Sequence, residues 1–356
     1  MKKINVAIIG QGRSGRDIHG KYFWSEANKN YNIIAVVEMD PERRERALTE
    51  FPGCKVYESY TELFGVEGID LVLNASYSEM HYSTTKDLLL HGFNVLVEKP
   101  MARSYYECCD LIKTANDMGV TLAVFQQSFY TPYFEFAKEI ANSGKIGDVL
   151  SVDIAFNGFA RRWDWQTLQC KMAGCTYNTG PHPLGFALDF LGFSPDAHVV
   201  YSKMNNALAS GDAEDWVRMV LTAPGKPMVE VQICPTDAFP DYNIKIQGSR
   251  GTFKCFTDKY QLKYIVDGEN PERPVIFESL KTEERTPAYC TEDLVSHEES
   301  GELEVGAFGS AVEKFYAKLY DKLVDGTPLE VTPEMAADII RVTEEAHTQN
   351  PMPVKF

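Results

Sequence analysis

Gly10-Gln11-Gly12-Arg13-Ser14-Gly15, set directly behind the apolar run Ile4 to Ile9, constrains this fold more than any other segment. Three glycines at that spacing, between a strand and a helix, have separate uses. The first permits a tight turn, the second lets backbone approach a pyrophosphate, and the third lets helix and strand pack closely. The helix N-terminus that follows attracts phosphate charge. The motif therefore predicts a βαβ unit with Gly10, Gln11, Gly12, Arg13, Ser14 and Gly15 against a dinucleotide. Met1-Lys2-Lys3 runs straight into the strand with no small-residue cleavage site, so this start is read as a first strand rather than a signal peptide.

Strand and helix signals alternate from there. Strands are expected at Asn5–Ile9, Ile33–Glu38, Leu71–Asn74, Asn94–Val97 and Thr121–Phe125. Helices are expected at Pro41–Phe51, Tyr60–Phe64, Met80–His91 and Ser104–Met118. That order predicts an α/β doubly wound parallel sheet over residues 1–124. Residues 125–356 read differently. After an amphipathic helix at Pro132–Asn142 come strand-like runs at Val149–Phe156, Trp216–Leu221, Met228–Ile233, Tyr242–Gln247, Gly251–Phe256 and Leu262–Val266. Helices at Pro183–Leu191, Ala307–Val324 and Pro333–Ala346 would cover one face. This predicts an α+β domain with a large open, mainly antiparallel sheet, its C-terminal helix free to pack back on the first domain. The stretch 267–300 is charged and contains proline, and is expected as a surface excursion. A length of 356 residues accommodates two such cores.

The formal charge of −16 excludes a nucleic-acid surface, which needs clustered Lys and Arg. No stretch is apolar enough to span a bilayer. The eight cysteines follow no disulfide or zinc framework. Cys170, Cys175 and His182 could be imagined as metal ligands, but reduced thiols in a cytoplasmic protein without metal is the preferred reading.

Glu38 ends the second strand where an acidic residue meets the adenosine ribose. A carboxylate there accepts from ribose hydroxyls and repels a 2′-phosphate, favouring NAD over NADP. Arg43 and Arg44 could hold a phosphate instead, but a solvated helix face is preferred. Asn74 and Ser76 end the next strand and suit a nicotinamide ribose, and His81 opens the helix after it, although His81 could equally cap or pack locally. The run Val95-Leu96-Val97-Glu98-Lys99-Pro100 places Lys99 at the carboxyl edge of the sheet, where ligands sit in open α/β folds. Pro100 restricts its orientation, making Lys99 a candidate to touch a reacting oxygen.

Together these blocks, with His81…Gly92-Phe93-Asn94, Ser143-Gly144-Lys145-Ile146-Gly147 and Asn178-Thr179-Gly180-Pro181-His182, resemble the Gfo/Idh/MocA family of pyridine-nucleotide oxidoreductases over nearly the whole chain. The resemblance implies a Rossmann domain followed by a substrate-binding and oligomer-forming domain. It implies that His182 is the general acid or base on the reacting hydroxyl and that Lys99 assists at the same oxygen. Family members commonly carry Asp-x-x-x-His, where this chain has Asn178. An asparagine can accept from the imidazole and fix its tautomer but cannot stabilise the imidazolium, so Asp164 or Asp189 is considered as a substitute carboxylate. Glu98 and Gln127 join the expected cofactor contacts. Arg161, Arg162, Trp163, Asp164 and Trp165 supply donors, an acceptor and flat rings suited to sugars. Many relatives carry an arginine near Phe129, so its absence favours neutral substrates.

The expected activity is NAD-dependent oxidation of a ring secondary hydroxyl in a sugar, a glycoside (at C3) or inositol, giving a keto product. Two alternatives stay open. One is an NAD-dependent glycosidase working by transient oxidation and elimination; the other is a non-catalytic cofactor-binding regulator. The expected partners are a small carbohydrate, no nucleic acid, no membrane, and further copies of the chain. The last rests on an open sheet face read as partly apolar from Met228, Val229, Val231, Ile233, Ile244 and Ile246.

Overall fold

Short apolar runs separated by amphipathic helices give the first layer of this computed structural model, which describes residues 3–281, 284, 288–303 and 307–356. In chain order these are β1 (Ile4–Ile9), a π-helical turn Arg13–Gly20 running into α1 (Lys21–Phe23), β2 (Tyr31–Val37), α2 (Pro41–Glu50), β3 (Lys55–Tyr57), β4 (Leu71–Asn74), α3 (His81–Leu90), β5 (Val95–Val97), α4 (Tyr105–Met118) and β6 (Leu122–Val124). The parallel sheet has the order β3-β2-β1-β4-β5-β6. The chain builds outward from β1, then returns to its other side at β4, so the strand ends part there and open a crevice. Strands β4, β5 and β6 are buried throughout, which is why they read as continuous apolar runs. Strand β3 escaped the sequence reading because its three residues include exposed Lys55 and no apolar run. The expected helix at Tyr60–Phe64 is a 3₁₀ segment, Tyr60–Gly65.

The second layer begins with α5 (Pro132–Asn142) and continues through β7 (Val149–Asn157), α6 (Cys175–Asn178), α7 (Pro181–Phe190), β8 (His198–Asn205), β9 (Trp216–Thr222), β10 (Met228–Cys234), β11 (Ile244–Gly248), β12 (Gly251–Phe256), β13 (Lys259–Tyr264), β14 (His297–Glu302), α8 (Ala307–Asp325) and α9 (Pro333–Gln349). The sheet order is β14-β13-β12-β11-β7-β10-β9-β8. Neighbours are antiparallel except β7 and β10, which run parallel. Strands β8 and β14 were missed: β8 mixes Val199, Val200, Tyr201 and Met204 with as many polar residues and has no long apolar run, and β14 reads His-Glu-Glu-Ser-Gly-Glu. It closes the stretch expected as an excursion by pairing with β13. Before it, Phe277 and Tyr289 stand about nine-tenths exposed.

Helices α7 and α9 lie on this sheet, α9 also packing on α4 and β6 and so joining the two layers. The expectation of an exposed apolar face needs correction. Val229, Val231, Ile233, Ile244 and Ile246 are buried under the helices, and only Met228 of that set is exposed. The alternation of β10 sends Glu230 and Gln232 to the open face with Met228. Arg218 pairs with Glu230 across it at 2.9 Å. The open face is therefore mixed polar and apolar. Among the described residues, no helix is long and apolar enough to cross a membrane.

Candidate active site

The crevice at the carboxyl end of the first sheet is floored by backbone. Gly10 has φ +91°, and a Cβ there would come within 2.4 Å of the Ala75 carbonyl oxygen. A Cβ on Gly15 would come within 1.9 Å of the Gly10 carbonyl oxygen, so the first and third glycines close the turn. A Cβ on Gly12 would meet nothing within 4 Å, leaving open room above the second glycine for a phosphate.

Glu38 stands at the mouth, fixed by two backbone donors. Gln11 N–H donates to Oε2 at 2.7 Å and Asp40 N–H to Oε1 at 3.1 Å. The nearby arginines are not a free phosphate clamp. Arg44 donates to the carbonyls of Glu38 at 2.6 Å and Met39 at 2.8 Å, which replaces the solvated face expected for it. Arg43 lies 3.7 Å from Glu38 Oε2.

Asn74 is wholly buried. Its Nδ2 donates to Thr85 Oγ1 at 3.0 Å and its Oδ1 accepts from Ser76 Oγ at 2.7 Å, so it shapes the strand end and presents Ser76. His81 is also buried; Nδ1–H donates to the Pro100 carbonyl at 2.7 Å, and Nε2 lies 3.2 Å from the Ser76 carbonyl. That imidazole ties the ends of β4 and β5 together. Glu98, expected at the cofactor, is turned into the protein: His19 Nε2–H donates to Oε1 at 3.0 Å and Lys99 N–H to Oε2 at 3.1 Å.

The residues present fit a nicotinamide dinucleotide. Besides the room over Gly12 and the anchored Glu38, the buried carboxamide oxygens of Gln11, Gln126 and Gln127 have no hydrogen-bond partner among the described residues. An orphaned buried acceptor costs about 1–3 kcal/mol, and a carboxamide donor would satisfy one.

Lys99 reaches from β5 across to the second layer, where Nζ donates to the carbonyl of Asn178 at 2.8 Å. Burial pulls its ammonium below the ordinary range; Glu98 opposes that, while Arg13 and Arg162 add to it. His182 sits in the first turn of α7, with Nδ1 2.9 Å from Ser128 Oγ and its ring over Phe156 at 6.4 Å. Burial first, and the Lys99 charge second, hold it at about 3, so the imidazole is neutral. In the tautomer whose Nδ1–H donates to Ser128, Nε2 keeps a lone pair that no described residue occupies.

The expected Asn178–His182 contact is not made. The Asn178 Oδ1 accepts from Gln166 Nε2 at 3.2 Å instead. Four-residue spacing aligns side chains only within one helix, and here α6 stops at Asn178 and α7 starts at Pro181. Neither proposed carboxylate reaches the imidazole. Asp164 pairs with Arg162 at 2.9 Å and caps the turn at Gln166, and Asp189 pairs with Lys138 at 2.8 Å. Ser128 holds the imidazole instead. It lies inside the conspicuous run Gln126-Gln127-Ser128-Phe129-Tyr130, but no local pattern points from it to a residue 54 positions away.

The segment Arg161–Trp165 divides in two. Arg162 also bonds Gln166 Oε1, so Arg162, Gln166, Asn178 and Lys99 form one connected chain. Trp165 packs edge-on against Tyr77 at 5.1 Å, while Lys171 pairs with Glu79 at 2.7 Å, clasping the two layers beside the crevice. Arg161 and Trp163 are exposed. Among the described residues, no group of three His, Cys, Asp or Glu could hold a metal ion. The assembled site can bring a cation and a neutral base to one oxygen at the edge of a dinucleotide cleft.

Residues 4–126 match the family described as "Oxidoreductase family, NAD-binding Rossmann fold", and residues 134–254 match the GFO/IDH/MocA C-terminal domain. Among curated proteins, the chain is 26% identical to 2,7-anhydro-N-acetylneuraminate hydratase of Mediterraneibacter gnavus over 71% of this chain and 67% of that one. It is 23% identical to scyllo-inositol 2-dehydrogenase (NADP(+)) of Bacillus subtilis over 96% and 92%. GenD2 from gentamicin A biosynthesis, solved in complex with NAD, superposes with a TM-score of 0.77 at 21% identity over 98% and 94%.

Proposed function

The chain belongs to the GFO/IDH/MocA family of oxidoreductases, with an NAD-binding Rossmann domain, and on that premise we propose that it oxidises a ring secondary hydroxyl of a sugar, glycoside or inositol to the ketone. The observation that carries this reading is the neutral His182, with Nε2 open, beside the Lys99 ammonium. His182 Nε2 takes the hydroxyl proton, and Lys99 stabilises the developing alkoxide. NAD, when bound, accepts or returns the hydride. Gly10 to Gly15, Glu38, Ser76 and Gln127 hold the cofactor, with Asn74, His81 and Glu98 behind them. Arg162, Asp164 and Trp165 shape the substrate side, with Arg161 and Trp163 at its rim.

Similarity to an inositol dehydrogenase supports a polyol or ring hydroxyl; C3 is the position proposed for a glycoside. Glu38 supports NAD over NADP, against the NADP(+) of that relative. Similarity to a hydratase favours a second reading without net oxidation. In it, transient oxidation acidifies the neighbouring C–H, elimination breaks a glycosidic bond, and the cofactor is restored. We further propose a division at residues 1–124 and 125–356, and a homo-oligomer formed through the mixed open sheet face. A cytoplasmic location is supported by eight free cysteines.

The test is a panel of inositols, free sugars and aryl glycosides incubated with NAD. NADH formation by the wild type, abolished in Lys99→Met with cofactor binding intact, is the expected result. Aryl release without NADH selects the second reading, and turnover retained by Lys99→Met removes the lysine from the mechanism.

A further inference from the structure

Behind Lys99 lies a buried polar chain that the reaction does not touch. Tyr316 on α8, His19 in the π-helical turn after the glycines, and Glu98 at the end of β5 are each at most 3% exposed. Tyr316 OH lies 2.6 Å from His19 Nδ1, and His19 Nε2 lies 3.0 Å from Glu98 Oε1. A carboxylate only accepts, so Nε2 carries the proton and the phenol gives its own to Nδ1. The other carboxylate oxygen accepts from the backbone N–H of Lys99. Aromatic rings seal this chain from water: His19 packs on Phe125 at 4.3 Å, and Tyr316 stacks on Tyr22 at 4.4 Å. The Tyr31 hydroxyl donates to the Tyr316 carbonyl at 2.7 Å, fixing the helix turn that presents the phenol.

We propose that Tyr316 and His19 are positioning residues that hold Glu98 as the buried counter-charge of Lys99, so that a helix at the far end of the chain governs the proton on the lysine. The proposal rests on the reading that Lys99 acts at the reacting oxygen. Lys99 faces Glu98, Arg13, Arg162, His81 and His182. Of these, Glu98 is the anion, and it faces His19, His81, His182, Lys99 and Tyr316. Burial works to raise the Glu98 carboxyl, while the hydrogen bond from His19, with the Lys99 charge behind it, outweighs it and holds it at about 2. Without its donor, Glu98 is left to burial and takes up a proton. The lysine, still beside Arg13 and Arg162, then gives up its own proton at lower pH.

The experiment is competitive labelling of the full-length protein with acetic anhydride from pH 6 to 11, reading the Lys99 peptide by mass spectrometry. It needs no substrate. Glu98→Gln and His19→Phe are expected to lower the Lys99 midpoint by roughly one pH unit, the effect of losing one nearby opposite charge. Tyr316→Phe, which removes one oxygen and keeps the ring packing, moves it in the same direction by less. His19→Gln, which still offers an amide donor, restores much of the wild-type midpoint. An unshifted midpoint in folded, NADH-binding Tyr316→Phe and His19→Phe overturns the proposal. Should His19→Phe fail to fold, Tyr316→Phe decides alone. Retained turnover in Lys99→Met would sink the proposed function but leave these midpoints as they are. Unshifted midpoints with an inactive Lys99→Met would remove the relay and leave the function standing.

Discussion

Two imidazoles flank Glu98 and Lys99, and they are built in opposite ways. His19 has a partner on each ring nitrogen, Tyr316 on one side and Glu98 on the other. His182 has Ser128 on one nitrogen and no described residue on the other. A histidine with both nitrogens engaged has no position left for substrate and serves as a strut. One with a single open nitrogen, held neutral by burial, can take a proton. Residue type is the same in both; complete burial and a second hydrogen bond for His19, against partial exposure and an open nitrogen for His182, separate structure from chemistry.

The largest expected effect tests the cation between them. Lys99→Met should cut turnover by roughly a thousandfold through lost stabilisation of the alkoxide, with NADH binding intact by fluorescence titration. Replacing the open imidazole comes next. His182→Asn should cost roughly a hundredfold in kcat, and wild-type kcat/KM should run flat between pH 5 and 7 because the imidazole is already neutral. An acid limb near 6.5 would show the ring to be solvated, breaking the contrast.

Stability against pH separates His182 from Glu98. Its imidazole drops from 6.5 to about 3 on folding, so the unfolded chain binds a proton in that window that the folded chain does not. Stability is complete above 6.5 and declines as pH falls toward 3. The Glu98 carboxyl drops from 4.5 to about 2, so its contribution is present above 4.5 and lost as pH falls toward 2. Thermal melts from pH 7 to 2 should therefore flatten in His182→Gln through the upper window, whereas Glu98→Gln should flatten only the lower one. Identical curves for the two variants would mean the pair titrates as a unit.

Smaller effects sharpen the picture. Ser128→Ala should lower kcat by roughly tenfold with KM little changed, as expected for the loss of a group that orients a catalytic imidazole. Rescue by Ser128→Thr would show that the hydroxyl, not the packing, matters. Glu38→Ala should weaken NAD binding by roughly tenfold, within the range for one charge-assisted hydrogen bond, and narrow the preference over NADP in calorimetric titration. Unchanged preference would leave discrimination to Arg43 and Arg44.

The first sheet, except its edge strand β3, was legible almost to its boundaries because each signal is local: glycines at a turn, apolar runs of strand length, proline after Lys99. The positions of Lys99 and Glu38 were legible for the same reason, each standing just past a strand end that its own neighbours define. The second sheet was harder. Polar strands such as β14 are held by a neighbour's backbone rather than by their own side chains, and nothing in His-Glu-Glu-Ser-Gly-Glu announces that. The apolar positions of β10 and β11 were visible, but the helices that cover them, α7 on β10 and α5 on β11, end 38 and 102 positions upstream, so the buried face was assigned to the wrong side.

The sequence by itself determined the dinucleotide crevice, the lysine at its edge and the histidine after Pro181, since a strand end and a helix start are fixed by a few adjacent residues. Only the tertiary structure decided what each group touches. Ser128 rather than Asn178 holds His182, Asn178 offers its carbonyl to Lys99, and Tyr316 meets His19 across 297 positions. Hydrogen bonds are short and directional, so a break of two residues between α6 and α7 is enough to redirect one, and no spacing in the chain records where it goes.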